Sequence, residues 1–477
     1  METAGVWMLA AVALLMVATG LPAWMVLTGV SVASAFIGLA TGAFTWTLLQ
    51  ALPSRLLGLL ENDLLQAMPL YVLVGALLNR LPLAGILLRT GERAFARTRA
   101  GAALAGLGLS VLLAPMNGSV GAGVAMLTRT VLPRLDGSGV AAERGAALVA
   151  ATSTLGVVIP PSLVLILLSD ALLRAHTEAV NATHIAARII NTQDVFRGAL
   201  LPAAMLLVLY VLLAFRLRVP AGTPAPTPTA RSDSVTAVVT VVFILGLFAA
   251  VTLGYLYAVE AAATGGVALV IFGAARRALG LEVLKTVLRD TMAITGALFA
   301  LLVSATSFTL ILRAFGTDRW VTALLAGSAS SGIYGPLLAV LGILGLCAFV
   351  LDAFEMTFVV VPVLAPPLLM RVPDAIWVAV LILLILQTSF LIPPFGYAVL
   401  MLRNRVAHHL DGRRFMRAIL PYLIAQLLVL ALVLAFPGWL WHDKVMLAAQ
   451  TAPAAKPLTD KELDELMWQQ TAPADNR

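Results

Sequence analysis

Two carboxylates stand inside an apolar stretch of the chain, in Leu351-Asp352-Ala353-Phe354-Glu355-Met356-Thr357. A charge at the centre of a bilayer costs roughly 2.5–3.5 kcal/mol, so each needs a partner. Spaced i, i+3 on a helix, both can face one side and either bind a cation or lie beside a water-filled cavity. For Glu355, a bond to a neighbouring helix is the competing structural reading. Hydroxyls gather in two similar settings. Thr152-Ser153-Thr154-Leu155-Gly156 runs into Ile159-Pro160-Pro161-Ser162, and Gln387-Thr388-Ser389-Phe390 runs into Ile392-Pro393-Pro394-Phe395-Gly396. A third group, Pro115-Met116-Asn117-Gly118-Ser119-Val120-Gly121, crowds proline, amide, hydroxyl and glycine into one tip. Proline and glycine interrupt a helix. Carbonyls and hydroxyls freed at such a break can coordinate Na+, whereas half-helix N-termini offer N–H groups to an anion. Proline kinks in a purely structural bundle are the plain alternative.

Other chemistries lack their residues. There is no G-x-x-x-x-G-K-[ST], and none of the four lysines follows a glycine, so no loop of the chain cradles ATP. H-E-x-x-H, G-x-S-x-G and a Gly-Asp pair are absent too, and nothing recommends an enzyme. His176, His184, His408, His409 and His442 fall outside the apolar runs. Neighbours such as His408 and His409 diverge by about 100° on a helix, so they read as surface residues rather than a ligand pair. The single cysteine, Cys347, excludes an intrachain disulfide and reads as a small core residue. Glu260 opens an apolar run, either as an N-terminal cap or as an ion ligand.

The elements that must position these residues are membrane helices. Of 477 residues, 61% are hydrophobic and 12% charged, against about 25% charged in ordinary globular chains. With a mean hydropathy of +0.98, this excludes both a soluble and a disordered protein. Ten runs are long enough to cross a bilayer, near 5–20, 22–41, 64–79, 145–169, 198–215, 236–254, 258–275, 291–313, 375–402 and 418–436. Met1-Glu2-Thr3 has no basic n-region, so the first run reads as a retained span. Two further stretches, 102–131 and 334–370, are interrupted midway and are expected to turn back as re-entrant hairpins. Residues 45–60 read as an outer connection or interfacial helix.

The net charge of +7 falls in arginine-rich clusters between apolar runs, at 80–99, 129–144, 216–231, 276–289 and 403–417. That is a topology signal rather than a nucleic-acid footprint. It puts all five clusters on the cytoplasmic side and both termini outside. The chain divides into N-terminal helices (1–63), a first repeat (64–216), a Pro-rich linker (217–236), connecting helices (237–290), a second repeat (291–436) and a polar tail (437–477). In the tail, Thr459 and Glu462 form a capping box opening a short helix toward Trp468. The repeats echo each other in their Ile-Pro-Pro triplets. Gly118 to Pro160 is 42 positions and Asp352 to Pro393 is 41. With an odd number of crossings between them, the hairpins enter from opposite faces, which is the sequence pointer to a midplane site in secondary transporters.

These motifs, together with Leu64-Leu65-Gln66-Ala67-Met68-Pro69-Leu70-Tyr71 and Leu78-Asn79-Arg80, resemble the large membrane subunit of tripartite ATP-independent periplasmic (TRAP) transporters from about residue 20 to 436. The Asn-Gly-Ser tip, Asp-x-x-Glu and Gln-Thr-Ser-Phe-Leu resemble the mannitol, chloroaromatic and lactate subgroup. The resemblance implies an all-α, elevator-type carrier of the bacterial inner membrane, importing an organic acid with Na+ and using no other cofactor. Its implied partners are a small four-helix membrane subunit and a periplasmic binding protein. The implied sites comprise Asn117, Gly118, Ser119, Thr152, Ser153, Thr154, Gly156 and Pro160 in the first repeat, with Asp352, Glu355, Thr388, Ser389 and Pro393 in the second. Ser119, Ser153, Asp352 and Thr388 are the sodium candidates. The chain departs from the family at Ile392, where Thr is common, at Ala258-Val259, where Pro-Thr is common, and in a long 170–194 segment. A proton-coupled carrier without a binding protein, and a channel or scaffold subunit, are the competing readings.

Overall fold

The computed structural model describes residues 4–113, 115–117, 119–183, 190–217, 231–327, 332–393, 396–406 and 411–440. Helix is its regular element throughout. The chain opens with α1 (Ala4–Thr19) and α2 (Ala23–Ala40). Two short helices, α3 (Trp46–Leu49) and α4 (Leu52–Leu60), follow where an interfacial connection is expected. α5 (Asp63–Arg80) then bends by 65° into α6 (Leu83–Ala94) at the Leu81-Pro82 step. The first hairpin has legs α7 (Gly101–Leu113) and α8 (Val120–Thr130); α9 (Leu132–Gly137) leads out of it. Next come α10 (Ala142–Ser153), the single turn α11 (Leu155–Val158) and α12 (Leu163–Thr183), the chain bending by 40° across the Ile159–Ser162 break. α12 therefore carries the start of the long 170–194 segment as helix.

Past α13 (Thr192–Ala214), residues 218–230 of the expected linker lie outside the described residues. The linker is shorter than its composition suggests, because α14 (Arg231–Leu253) already includes 231–236. Apolar residues from Val235 onward extend that helix back to its polar start. α15 (Ala258–Ala275), the long α16 (Leu281–Ala314) and α17 (Thr317–Gly327) lead to the second hairpin, α18 (Tyr334–Cys347) and α19 (Ala353–Glu355). A turn of π-helix over Met356–Val360 joins α19 to α20 (Val361–Leu369). α21 (Ala375–Ser389), α22 (Tyr397–Val406) and α23 (Gly412–Ala435) close the described chain. Glu260 caps its own helix, accepting from the Tyr257 N–H at 2.9 Å. His408, His409 and His442, with the expected tail helix, fall outside the described residues.

Among the described residues, six helices are long and apolar enough to cross a membrane, or eight when each bent pair counts as one span. The protein is a multi-pass, all-helical membrane protein. α21 is apolar around its whole circumference and almost entirely buried, as a helix at the centre of a bundle must be. Trp377 fixes it there, donating its indole N–H to the Val433 carbonyl at 2.9 Å.

The two repeats are in closer register than the sequence spacing suggests. Thr154 and Gln387 are 233 positions apart. That offset also separates the starts of α7 and α18, of α8 and α19, and of α10 and α21. It makes Ser119, not Gly118, the counterpart of Asp352. Each is the N-cap of its hairpin's second leg: Ser119 Oγ accepts from Ala122 N, and Asp352 Oδ1 from Phe354 N and Glu355 N.

Polar contacts separate the molecule into two ends. Arg80 pairs with Asp290, Arg89 and Arg276 both reach Asp233, and Arg129 donates to Asn79. These bonds involve three of the five expected same-side clusters, and Asp233 stands two residues after a fourth. On segments expected outside, Arg313 grips Glu178 through two bonds of 2.9 and 3.0 Å and donates to the Pro362 carbonyl, while Arg174 pairs with Asp170.

Candidate functional site

The first hairpin tip, the second hairpin tip and the second helix break meet around one cavity of about 340 Å³. α7 stops because Pro115 has no N–H to donate, and α8 restarts on the Ser119 cap. α21 unwinds at Phe390 rather than at Gln387, so Gln387, Thr388 and Ser389 belong to its last turn. The chain then doubles back so tightly that a Cβ on Gly396 would overlap the Phe390 carbonyl. This return places Tyr397 beside Phe390, with ring centroids 6.2 Å apart. Gly121 lets α8 approach the same tyrosine, since a Cβ there would stand 2.9 Å from its hydroxyl.

Ser119 and Asp352 share this cavity, with Val164 from α12 and a wall of α16 made of Ala293, Ile294, Ala297 and Leu298. Among the described lining residues there is one carboxylate and no Lys, Arg or His. Ser119 also lines a second cleft with Ser153, Gly156 and Pro115. That cleft measures about 10 Å³, room for roughly one water-sized sphere.

Glu355 does not join Asp352. Its Oε2 accepts from the Asp352 N–H at 3.0 Å, completing a capping box, and its side chain lines a separate apolar cavity of about 450 Å³ with Val12, Trp320 and Cys347. The expectation that both carboxylates face one side fails because Asp352 is not helical. Its extended backbone (φ −81°, ψ 179°) folds its side chain over the first turn's N–H groups. Among the described residues neither carboxylate has an ion-pair partner.

The hydroxyls of the break regions are oriented by their own helices. Thr152 donates to Leu148 O, Ser153 to Ala150 O, Thr388 to Leu384 O and Ser389 to Leu386 O, at 2.7–2.8 Å. Each oxygen is then left with lone pairs only. Thr154 is an exception. It donates to Ala151 O and accepts from both Gln387 Nε2 (3.4 Å) and Gln426 Nε2 (3.1 Å), and Gln426 also donates to the Tyr210 hydroxyl. A hydroxyl has one hydrogen and two lone pairs, so the Thr154 side chain has nothing left for an ion. It ties the two repeats together at equivalent positions.

A family model, the tripartite ATP-independent periplasmic transporter DctM component, matches residues 10–439. The chain belongs to this family. This TRAP large component is 23% identical over 403 residues to the sialic acid TRAP transporter permease protein SiaT of Haemophilus influenzae (strain 86-028NP). The match covers 82% of this chain and 61% of that relative's length. In fold it is similar to the Alcanivorax borkumensis YdaH transporter, with a TM-score of 0.55 at 15% identity over 82% of this chain and 88% of that one. MtrF of Neisseria gonorrhoeae, from a class of antimetabolite efflux pumps, gives 0.52 at 12% identity over 85% and 84%. At those identities the likeness concerns the fold alone.

Within the TRAP large component, the expected site residues divide. Ser119 meets Asp352 in the cavity and Ser153 with Gly156 in the cleft. Thr152, Thr388 and Ser389 are buried and line neither space, and Pro160 is packed at the first break. Pro393 is half-buried at the second break. Gly118 and the side chain of Asn117 lie outside the described residues. Sequence reasoning missed Tyr397, Phe390 and the α16 wall. The available signals were Tyr397 directly after Gly396 and the i, i+4 pair Ala293 and Ala297. No group of three or more His, Cys, Asp or Glu suited to a metal occurs among the described residues.

Proposed function

We propose that this TRAP large component carries out Na+-driven import of an organic acid across the bacterial inner membrane. The observation that carries the reading is the cavity wall, where Asp352 is the charged group and no basic residue is found among the described lining residues. A bare carboxylate repels an anionic substrate; a cation held beside it reverses the sign of that interaction. The cleft supports the same reading, since it is ion-sized and joins Ser119 to Ser153, whose hydroxyl points its hydrogen elsewhere. The substrate reaches the site from a periplasmic binding protein, and a small four-helix membrane subunit completes the complex. Substrate crosses when the two repeats move, elevator-fashion, against α1, α2, α14 and α15.

Reconstitution in liposomes with both partners and imposed ion gradients tests this. Asp352→Asn should assemble normally and raise the Na+ concentration for half-maximal uptake about tenfold or more, the loss of one charge-assisted contact worth about 1.5–3 kcal/mol. Glu355→Gln should change it less. Accumulation that follows a proton gradient without Na+ or binding protein would favour the proton-coupled carrier, and flux without accumulation would favour a channel. Unaltered sodium affinity in Asp352→Asn would refute the ion role.

A further inference from the structure

The cavity that holds Asp352 also describes what else can fit there. Its body is apolar: Val164, Ile294, Leu298, Phe354 and Phe390 form most of the wall, with Tyr397 at one corner. The polar atoms are few and mostly committed. Ser119 Oγ caps α8, and Asp352 Oδ1 caps the second leg with two accepted bonds. The Tyr397 hydroxyl stands against Gly121 of α8.

We propose that this membrane site itself selects monocarboxylates with a compact aryl or alkyl body, and discriminates against polyhydroxylated acids and dicarboxylates. The inference rests on the organic-acid reading above and narrows it. One carboxylate is accommodated beside the cation held at Asp352. A second would lie against Leu298 or Phe354, both buried, where no side-chain donor replaces its water. Hydroxyls along the chain of a sugar acid meet the same wall and lose their hydrogen bonds on entry. An aryl ring instead removes apolar area from water against Phe354, Phe390 and the α16 face. The tilted Phe390–Tyr397 pair gives that ring an aromatic corner to meet edge-on.

The test uses the purified large and small subunits together, without binding protein, so that any selectivity belongs to the membrane site. Thermal stabilisation is titrated with phenylacetate, benzoate, succinate, gluconate and N-acetylneuraminate, each in Na+ and in choline. Phenylacetate or benzoate should stabilise at concentrations about 100-fold below gluconate and N-acetylneuraminate, and below succinate. Ile294 is 47% exposed, so Ile294→Asn alters the wall without disturbing the core and should narrow the aryl-to-gluconate ratio about tenfold. Preference for gluconate, N-acetylneuraminate or succinate with Na+ dependence retained would overturn this inference and leave sodium coupling standing. The aryl preference persisting equally in choline would leave the selectivity of the apolar wall standing and overturn the sodium ion at Asp352 on which the carboxylate's placement rests. Absence of stabilisation by any acid, or an unchanged ratio in Ile294→Asn, would also overturn it.

Discussion

Thr154→Val preserves shape at the centre of the buried link between the repeats and removes the one oxygen that serves both glutamines. Gln387 Nε2 loses its only hydrogen-bond acceptor among the described residues, a 3.4 Å bond. At that length its cost falls at the low end of the roughly 1–3 kcal/mol for an unsatisfied buried donor. Gln426 Nε2 loses a 3.1 Å bond but keeps Tyr210 at 2.9 Å, adding about 0.5–1.5 kcal/mol. The expected total is about 1.5–3 kcal/mol of stability. Gln387→Leu alone should be nearly neutral, since it also removes a buried Oε1 that has no partner among the described residues. The double variant should then recover about 1 kcal/mol, because replacing both ends of a bond by apolar groups costs less than orphaning one. Unfolding of all four proteins in mild detergent completes the cycle. The sodium requirement should not move, because the Thr154 hydroxyl is fully engaged. Costs that add within about 0.5 kcal/mol, or a tenfold weaker sodium response at unchanged stability, would refute the hub.

Gly121→Ala puts a Cβ 2.9 Å from the Tyr397 hydroxyl and should destabilise by about 1–3 kcal/mol. Adding Tyr397→Phe removes that oxygen and should restore most of the loss, measured as the unfolding midpoint of the single and double variants. Arg313→Lys cannot reproduce the two-pronged grip on Glu178 together with the bond to Pro362 O. It should cost about 1–2 kcal/mol, reduced by partial exposure, and a Lys variant as stable as wild type would show that charge alone suffices there.

Much of the architecture was legible before any coordinates, because it depends on local rules. Composition decides that the helices cross a membrane, and missing proline N–H groups with glycine decide where they stop. Hence the hairpin near 115–119, the break at 159–162 and their echoes in the second half follow from residue type and spacing. Capping is local too, and Glu260 and Asp352 both sit at helix starts. The facing of side chains across the bundle is not local. Asp352 and Glu355 part company because one residue precedes the helix and the other lies within it, a difference of backbone conformation that i, i+3 spacing does not encode. Thr154 is indistinguishable in sequence from Ser153 or Thr152, yet long-range packing alone brings Gln387 and Gln426 to its oxygen. Packing likewise sets Tyr397, Phe390 and the plain apolar face of α16 opposite the carboxylate. In a chain so uniformly apolar, pattern says which segments are buried, and only the tertiary fold says which of them meet.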